Sequence, residues 1–231
     1  MEVRVHALIR ALAHRQRVLL LGGHAIIFHG LDRPTIDSYV WVEPLASATD
    51  WCAAIEPVIA AIPGAYYWDL AHRQRIQVSE VPEVAKSFGV VRIGGIGEDL
   101  DIFRRPNNFQ ESDFDEAWSH SATLPAEEAR VFSPIELLLS KVDSERQKDF
   151  LDVAFLEAKI RREMAPLLRE CPPAEARRLF ARYVDHETCR AALANPHAEV
   201  RALATETLRE LAAGQNPFAR EILEELDRAN P

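Results

Sequence analysis

Glycine is scarce in this sequence: nine residues in 231, and after Phe132 only Gly214 remains. A long stretch so poor in turn-formers, with Ala, Leu, Glu and Arg dominant, is expected to be helical. Cysteine is sparse too. Cys52, Cys171 and Cys189 are odd in number and form no CxxC pair. That argues against a disulfide framework or a cysteine-ligated zinc site, and predicts reduced thiols in a cytoplasmic protein. No apolar run reaches the roughly 18 residues a membrane helix needs. The charges and histidines of Met1–Val18 are unlike a signal peptide, so neither a membrane nor secretion is expected. There is no GxGxxG, no P-loop GK[ST], no GxSxG elbow and no HExxH. Basic residues are in deficit, with a net charge of −9 and a pI near 5.4. Such a chain repels nucleic acid on average, and a nucleic-acid partner would need a local basic patch.

What is present is an ordinary globular composition, 48% hydrophobic and 27% charged, at a length suited to one large domain or two small ones. Val3 to Ala13 carries a helical apolar stripe, and Val18–Leu21 reads as a buried strand ending at Gly22-Gly23. A short helix is expected over His24–Phe28, ended by Gly30. The loop Leu31–Thr35 then leads into a second strand that opens with Asp37 and runs to Val42. Ser47–Ala61 reads as a helix stopped by Pro63-Gly64, and Tyr66–Val78 as one or two strands. Tyr66, Tyr67 and Trp68 suit a half-buried strand better than a base-stacking platform. Val90–Ile93 and Asp99–Phe103 flank Gly94-Gly95-Ile96-Gly97 and read as a hairpin, with Asp99, Asp101 and Phe103 on one side. Ser133 caps a helix with Pro134 in its first position. Helices follow to the end, with breaks expected at Pro166, Pro172-Pro173, Asn195-Pro196 and Asn216-Pro217. Strands first and helices later give the fold class as α+β (mixed α/β): an α+β or α/β head over 1–130, then a helical region over 131–231.

Two glycines between a strand and a helix let the backbone approach a bulky group. The helix N-terminus behind them suits a phosphate. Asp37 on the next strand and Asp101 on a later one could converge on Mg²⁺ or Mn²⁺, with Asp99 on the same face as a further donor. His24 stands beside the glycine turn. It is five residues from His29, a spacing that does not share a helical face, so the two are not expected to pair on a metal. Arg33 is placed to meet a phosphate or Asp37. Lys141, Arg146 and Lys148 form a basic group near Asp149 and Asp152, which lie three apart on one helical face.

Gly22-Gly23 followed by Arg33-x-Thr35-x-Asp37 resembles the signature of the nucleotidyltransferase superfamily with a DNA-polymerase-β-like fold. Leu100-Asp101-Ile102-Phe103 resembles that family's later acidic strand. Ser133–Lys141 with Arg146, Lys148, Asp149 and Asp152 resembles the helical block of its minimal bacterial members, including abortive-infection toxins. The likeness covers about residues 1–160. It implies a nucleotidyltransferase-like domain over 1–130, a small mixed sheet flanked by helices, and transfer of a nucleotide from an NTP such as ATP to an acceptor. The acceptor could be RNA or tRNA, a protein side chain or a small molecule, and the toxin type implies a cognate antitoxin. Asp37 and Asp101 would be the catalytic residues and, with Asp99, the ligands of Mg²⁺ or Mn²⁺. Gly22, Gly23, His24, Arg33, Thr35, Lys141, Arg146, Lys148 and Asp149 would bind the nucleotide. The family's second aspartate falls on Tyr39. A phenol of pKa near 10 is a poor ligand for Mg²⁺. The alternative is a degenerate module that keeps the fold and binds a nucleotide or a partner without turnover.

Overall fold

The computed structural model describes residues 3–124, 129–141 and 147–229. The chain forms two compact units, Met1–Val153 and Ala154–Pro231. In the first, the elements in order are α1 (Val3–Ala13), β1 (Val18–Leu21), α2 (Gly22–Phe28), β2 (Ser38–Val42), α3 (Ala48–Ala60), β3 (Tyr66–Asp69) and β4 (Gln74–Ile76). Next come α4 (Val81–Phe88), β5 (Val90–Gly94), β6 (Leu100–Phe103), α5 (Phe114–His120), β7 (Ala122–Thr123), β8 (Arg130–Val131) and α6 (Pro134–Leu139). The division between the units falls inside α7 (Gln147–Glu170), after which come α8 (Pro173–Arg182), α9 (His186–Ala192), α10 (Ala198–Ala213) and α11 (Pro217–Ala229). The compositional change near residue 130 therefore does not mark the division: β8 and α6 lie beyond it and belong to the first unit.

The sheet is mixed, as expected, with strand order β4-β3-β5-β6-β2-β1-β8-β7. β2 runs antiparallel to β1 and parallel to β6, and β8 runs parallel to β1. The hairpin read from the glycine turn is present, with β5 antiparallel to β6 and Arg92 directly opposite Asp101. Period-two alternation decides the two faces. Val18, Val40, Val42, Val91, Ile93, Leu100 and Ile102 turn to one side and pack with Leu8, Leu12, Trp51, Ile55, Val81 and Ala85 of α1, α3 and α4. Tyr39, Trp41, Arg92, Asp101 and Phe103 occupy the alternate positions and turn to the other. On that face Trp41 is fully buried against Phe109, Phe114 and Phe132, with ring centroids 5.0–5.9 Å away. Its indole N–H donates to the Arg104 carbonyl at 2.9 Å. Tyr66, Tyr67 and Trp68 form β3, with only Tyr67 turned into the core, so the strand reading of that aromatic run holds.

Ser47 caps α3 by accepting from the Asp50 N–H at 3.0 Å, and Ser133 caps α6 by accepting from the Ile135 N–H at 3.3 Å. Two expectations need correction. First, α2 begins at Gly22 rather than His24, because the chain turns straight from strand into helix with Gly22 at φ +69°. Second, Pro166 does not interrupt the helix, since α7 continues to Glu170. Leu156, Ile160, Met164 and Leu168 form a buried stripe at four-residue spacing across that point, and their burial outweighs the lost N–H. The other prolines act as expected: Pro173 opens α8, Pro196 precedes α10 and Pro217 opens α11.

In the second unit the buried Asn195 amide donates to the Leu168 and Cys171 carbonyls at 2.8 and 3.0 Å, tying the end of α7 to the turn before α10. Asp185 caps α9 by accepting from the Thr188 N–H at 2.7 Å, and also accepts from Arg161 and from the Tyr183 hydroxyl. Burial alone would raise the Asp185 carboxyl, but these three donors outweigh it and hold it below the ordinary range. A carboxyl depressed in the folded state stabilises fully above its unfolded pKa, near 4, and loses that contribution as pH falls through the folded value. The natural chain should therefore lose stability more steeply than Asp185→Asn as pH falls below about 4. Urea midpoints measured across that range check this. All three cysteines are buried and free, and burial pushes the Cys189 thiol up to about 12.

Candidate functional site

The end of the sheet where β1 passes into α2 opens on a cleft of about 340 Å³. Gly22, Gly23, Arg33, Thr35, Asp37, Tyr39, Phe103, Lys141 and Asp149 line it, together with Leu21, Ile36, Pro106, Asn107 and Ser140. Most residues singled out by sequence thus converge. β1 and α2 bring the glycines, and the loop before β2 brings Arg33, Thr35 and Asp37. The ends of α6 and the start of α7 bring Lys141 and Asp149.

The glycines do permit a close approach, but it is made by the protein itself. A Cβ on Gly22 would overlap Tyr39 Cδ2 and lie 3.1 Å from its Cγ. A Cβ on Gly23 would lie 2.8 Å from Thr35 Cβ and 3.2 Å from an Arg33 nitrogen. Tyr39 and the Arg33–Thr35 loop therefore seal against the strand-to-helix turn. The Tyr39 hydroxyl donates to Asp37 at 3.2 Å, and the rings of Tyr39 and Phe103 are 6.2 Å apart on neighbouring strands.

One wall is a nearly buried ionic network. Asp152 has no exposed side-chain surface, and it takes Arg33 through its Nε at 2.8 Å and Nη2 at 2.9 Å. Lys141 Nζ lies 2.8 Å from Asp152 and 2.6 Å from Asp149. Arg33 thus meets Asp152 rather than Asp37. This explains the three-residue spacing of Asp149 and Asp152: one helical face presents both carboxylates to the same lysine. Arg146 and the Lys148 side chain lie outside the described residues.

The sheet face next to the cleft holds a second network. Asp101, 3% exposed, is clamped by Arg92: Nε to Oδ1 at 2.6 Å and Nη2 to Oδ2 at 3.0 Å. The third guanidinium nitrogen, Nη1, donates to Asp99 at 3.1 Å. Burial pushes the Asp101 carboxyl up, against the pull of Arg92, and the nearby charges of Asp37 and Asp99 add to that rise. Arg92 is itself held more firmly protonated by its bonds to Asp101. As they stand, these donors do not fit a divalent cation. Both Asp101 oxygens and one of Asp99 face a guanidinium, and Tyr39 supplies a phenol where a further carboxylate would be needed. Among the described residues no three His, Cys, Asp or Glu side chains are arranged to hold a metal ion.

His24 is not among the residues lining the cleft. One residue further round α2 than Gly23, it faces His6 of α1, with ring centroids 6.3 Å apart. Arg92 is the residue that sequence reading passes over. Its signal was the alternation of Val90-Val91-Arg92-Ile93, which puts it on the Asp101 face once the hairpin register is counted across the glycine turn.

No protein-family model matches this chain, and no curated protein matches it. Solved structures similar to this chain include two at 16% identity and a TM-score of 0.39. One, a candidate nucleotidyltransferase from Helicobacter pylori, is covered over 96% of its length by all of this chain. The other, JHP933 from Helicobacter pylori, is covered over 96% by 98% of this chain. Likeness at that level carries no argument, and the functional reading rests on the residues. Among the described residues, no helix is long and apolar enough to cross a membrane.

Proposed function

We propose that this cleft binds a nucleotide, and that the chain is a nucleotide-binding module built like a nucleotidyltransferase rather than a working two-metal transferase. The observation that carries this reading is the position of Tyr39. It stands on the strand after the glycine turn, in the place of the second carboxylate of the nucleotidyltransferase signature, and its ring fills the space that Gly22 leaves. Phosphoryl and nucleotidyl transfer rely on cations that neutralise charge developing between the attacking and leaving oxygens. Here Asp101 is already neutralised from within the protein.

The wall charges also bear on which nucleotide fits. Among the described residues of this wall, Arg33 and Lys141 are paired with Asp149 and the buried Asp152, and Asp37 adds a further carboxylate to the cleft. A triphosphate entering without metal brings more negative charge to a wall whose cations, among the described residues, are already paired with carboxylates. Each close repulsive contact then costs about 1 kcal/mol even under water-like screening. A nucleoside monophosphate suits this wall better, its base and sugar lying along Tyr39 and Phe103.

Calorimetry with AMP and with a non-hydrolysable ATP analogue, each with and without Mn²⁺, tests the reading. The expected result is metal-independent binding, with AMP at least as tight as the analogue. Metal-dependent binding of the ATP analogue that Asp101→Ala removes would instead support the transferase, for which Asp37 at the cleft wall is the favourable observation. Failure of nucleotides of all four bases to bind would reject both readings.

A further inference from the structure

Three carboxylates, Asp37, Asp99 and Asp101, gather where β2 and β6 begin, side by side and parallel. Carboxylate charges this close repel one another and call for a cation, although as placed the three do not form a group that would hold a metal ion. In this fold the cation comes from the neighbouring strand. Arg92 stands directly opposite Asp101 in the β5–β6 register, and all three of its outer nitrogens are committed: two in a fork on Asp101 and one on Asp99. The charge of Asp37 acts on the same guanidinium. A planar guanidinium matches a carboxylate in two parallel bonds and, unlike a bound ion, cannot dissociate. Asp101 is almost wholly buried, so it cannot turn toward solvent to recruit an ion while Arg92 stays in place.

We propose that Arg92 is the permanent counter-cation of this cluster and closes it to divalent metal. A metal could enter only by expelling the guanidinium, leaving an arginine to be solvated elsewhere. Asp101 thus becomes a structural acceptor that fastens β5 to β6 at the cleft edge. This inference uses the same carboxylates as the nucleotide reading but needs no nucleotide, so the absence of nucleotide binding would leave it standing.

The test is titration of Mn²⁺ alone into the full chain, followed by electron paramagnetic resonance of the free ion. The natural chain, Asp101→Asn, Arg92→Met and the double variant are compared. The expected result is that the natural chain and Asp101→Asn bind Mn²⁺ equally weakly. Arg92→Met then binds at least about tenfold tighter, and the double variant loses that gain. Loss of Mn²⁺ binding in Asp101→Asn relative to the natural chain would overturn the proposal, as would a folded Arg92→Met that binds no tighter. Circular dichroism reports whether Arg92→Met folds. If it does not, the natural chain against Asp101→Asn decides alone, equal binding supporting the proposal and unequal binding overturning it.

Discussion

Asp152→Ala should lower the stability of the first unit by about 3–5 kcal/mol, the usual cost of removing one partner from a buried ion pair. Asp152 is fully buried and receives two cations, Arg33 at 2.8 Å and Lys141 at 2.8 Å. Its loss leaves Arg33 without an ion-pair partner in a largely buried position, while Lys141 retains Asp149 at 2.6 Å. The effect should therefore exceed that of Asp149→Ala, which leaves Lys141 still held by Asp152. Asp152→Asn should fall between, since an amide oxygen can still accept from Arg33 but carries no charge. Urea denaturation of the three variants gives the ranking. Equal stability of Asp152→Ala and the natural chain would show that the network does not hold the loop before β2 against α7.

Gly22→Ala should cost about 2–5 kcal/mol, from two sources that can be separated. The first is backbone strain: Gly22 sits at φ +69°, where a side chain adds about 1–2 kcal/mol. The second is overlap with the Tyr39 ring, an overpacking cost of about 1–3 kcal/mol. In a Tyr39→Ala background the overlap is gone, so Gly22→Ala should then cost only the strain, about 1–2 kcal/mol. A double-mutant cycle read by thermal unfolding measures the difference directly. Additivity of the two substitutions would mean that the ring simply moves aside. That would also remove the structural reason for Tyr39 to occupy the place of a carboxylate.

Several parts of this molecule are local enough to be read from the chain. α1, β1, α3 and the β5–β6 hairpin follow from periodicity and from glycine and serine at their ends, because each needs only its own residues to define it. At the cleft, the strand, the Gly22-Gly23 turn and the helix behind it were legible for the same reason, while Arg33, Thr35 and Asp37 were grouped with them by the resemblance to the nucleotidyltransferase signature. Tyr39, out of place among carboxylates, was visible too. Pro166 shows where such reading fails. The breaking tendency of a proline is a local property, while the buried stripe that carries α7 through it depends on packing.

The sequence by itself determined strands early in the chain followed by a helical C-terminal region, and a strand-to-helix turn at Gly22-Gly23. Those depend on patterning over a few residues. Only the tertiary structure decided what the charges do there. Arg33 reaches Asp152 across 119 positions of chain, and Lys141 bridges two carboxylates. Arg92 takes both oxygens of Asp101. An ionisable side chain in a sequence can bind a ligand or satisfy a neighbour with equal ease. The choice is made by burial and by the partner that the fold brings within about 3 Å, and neither is a property of the residue alone.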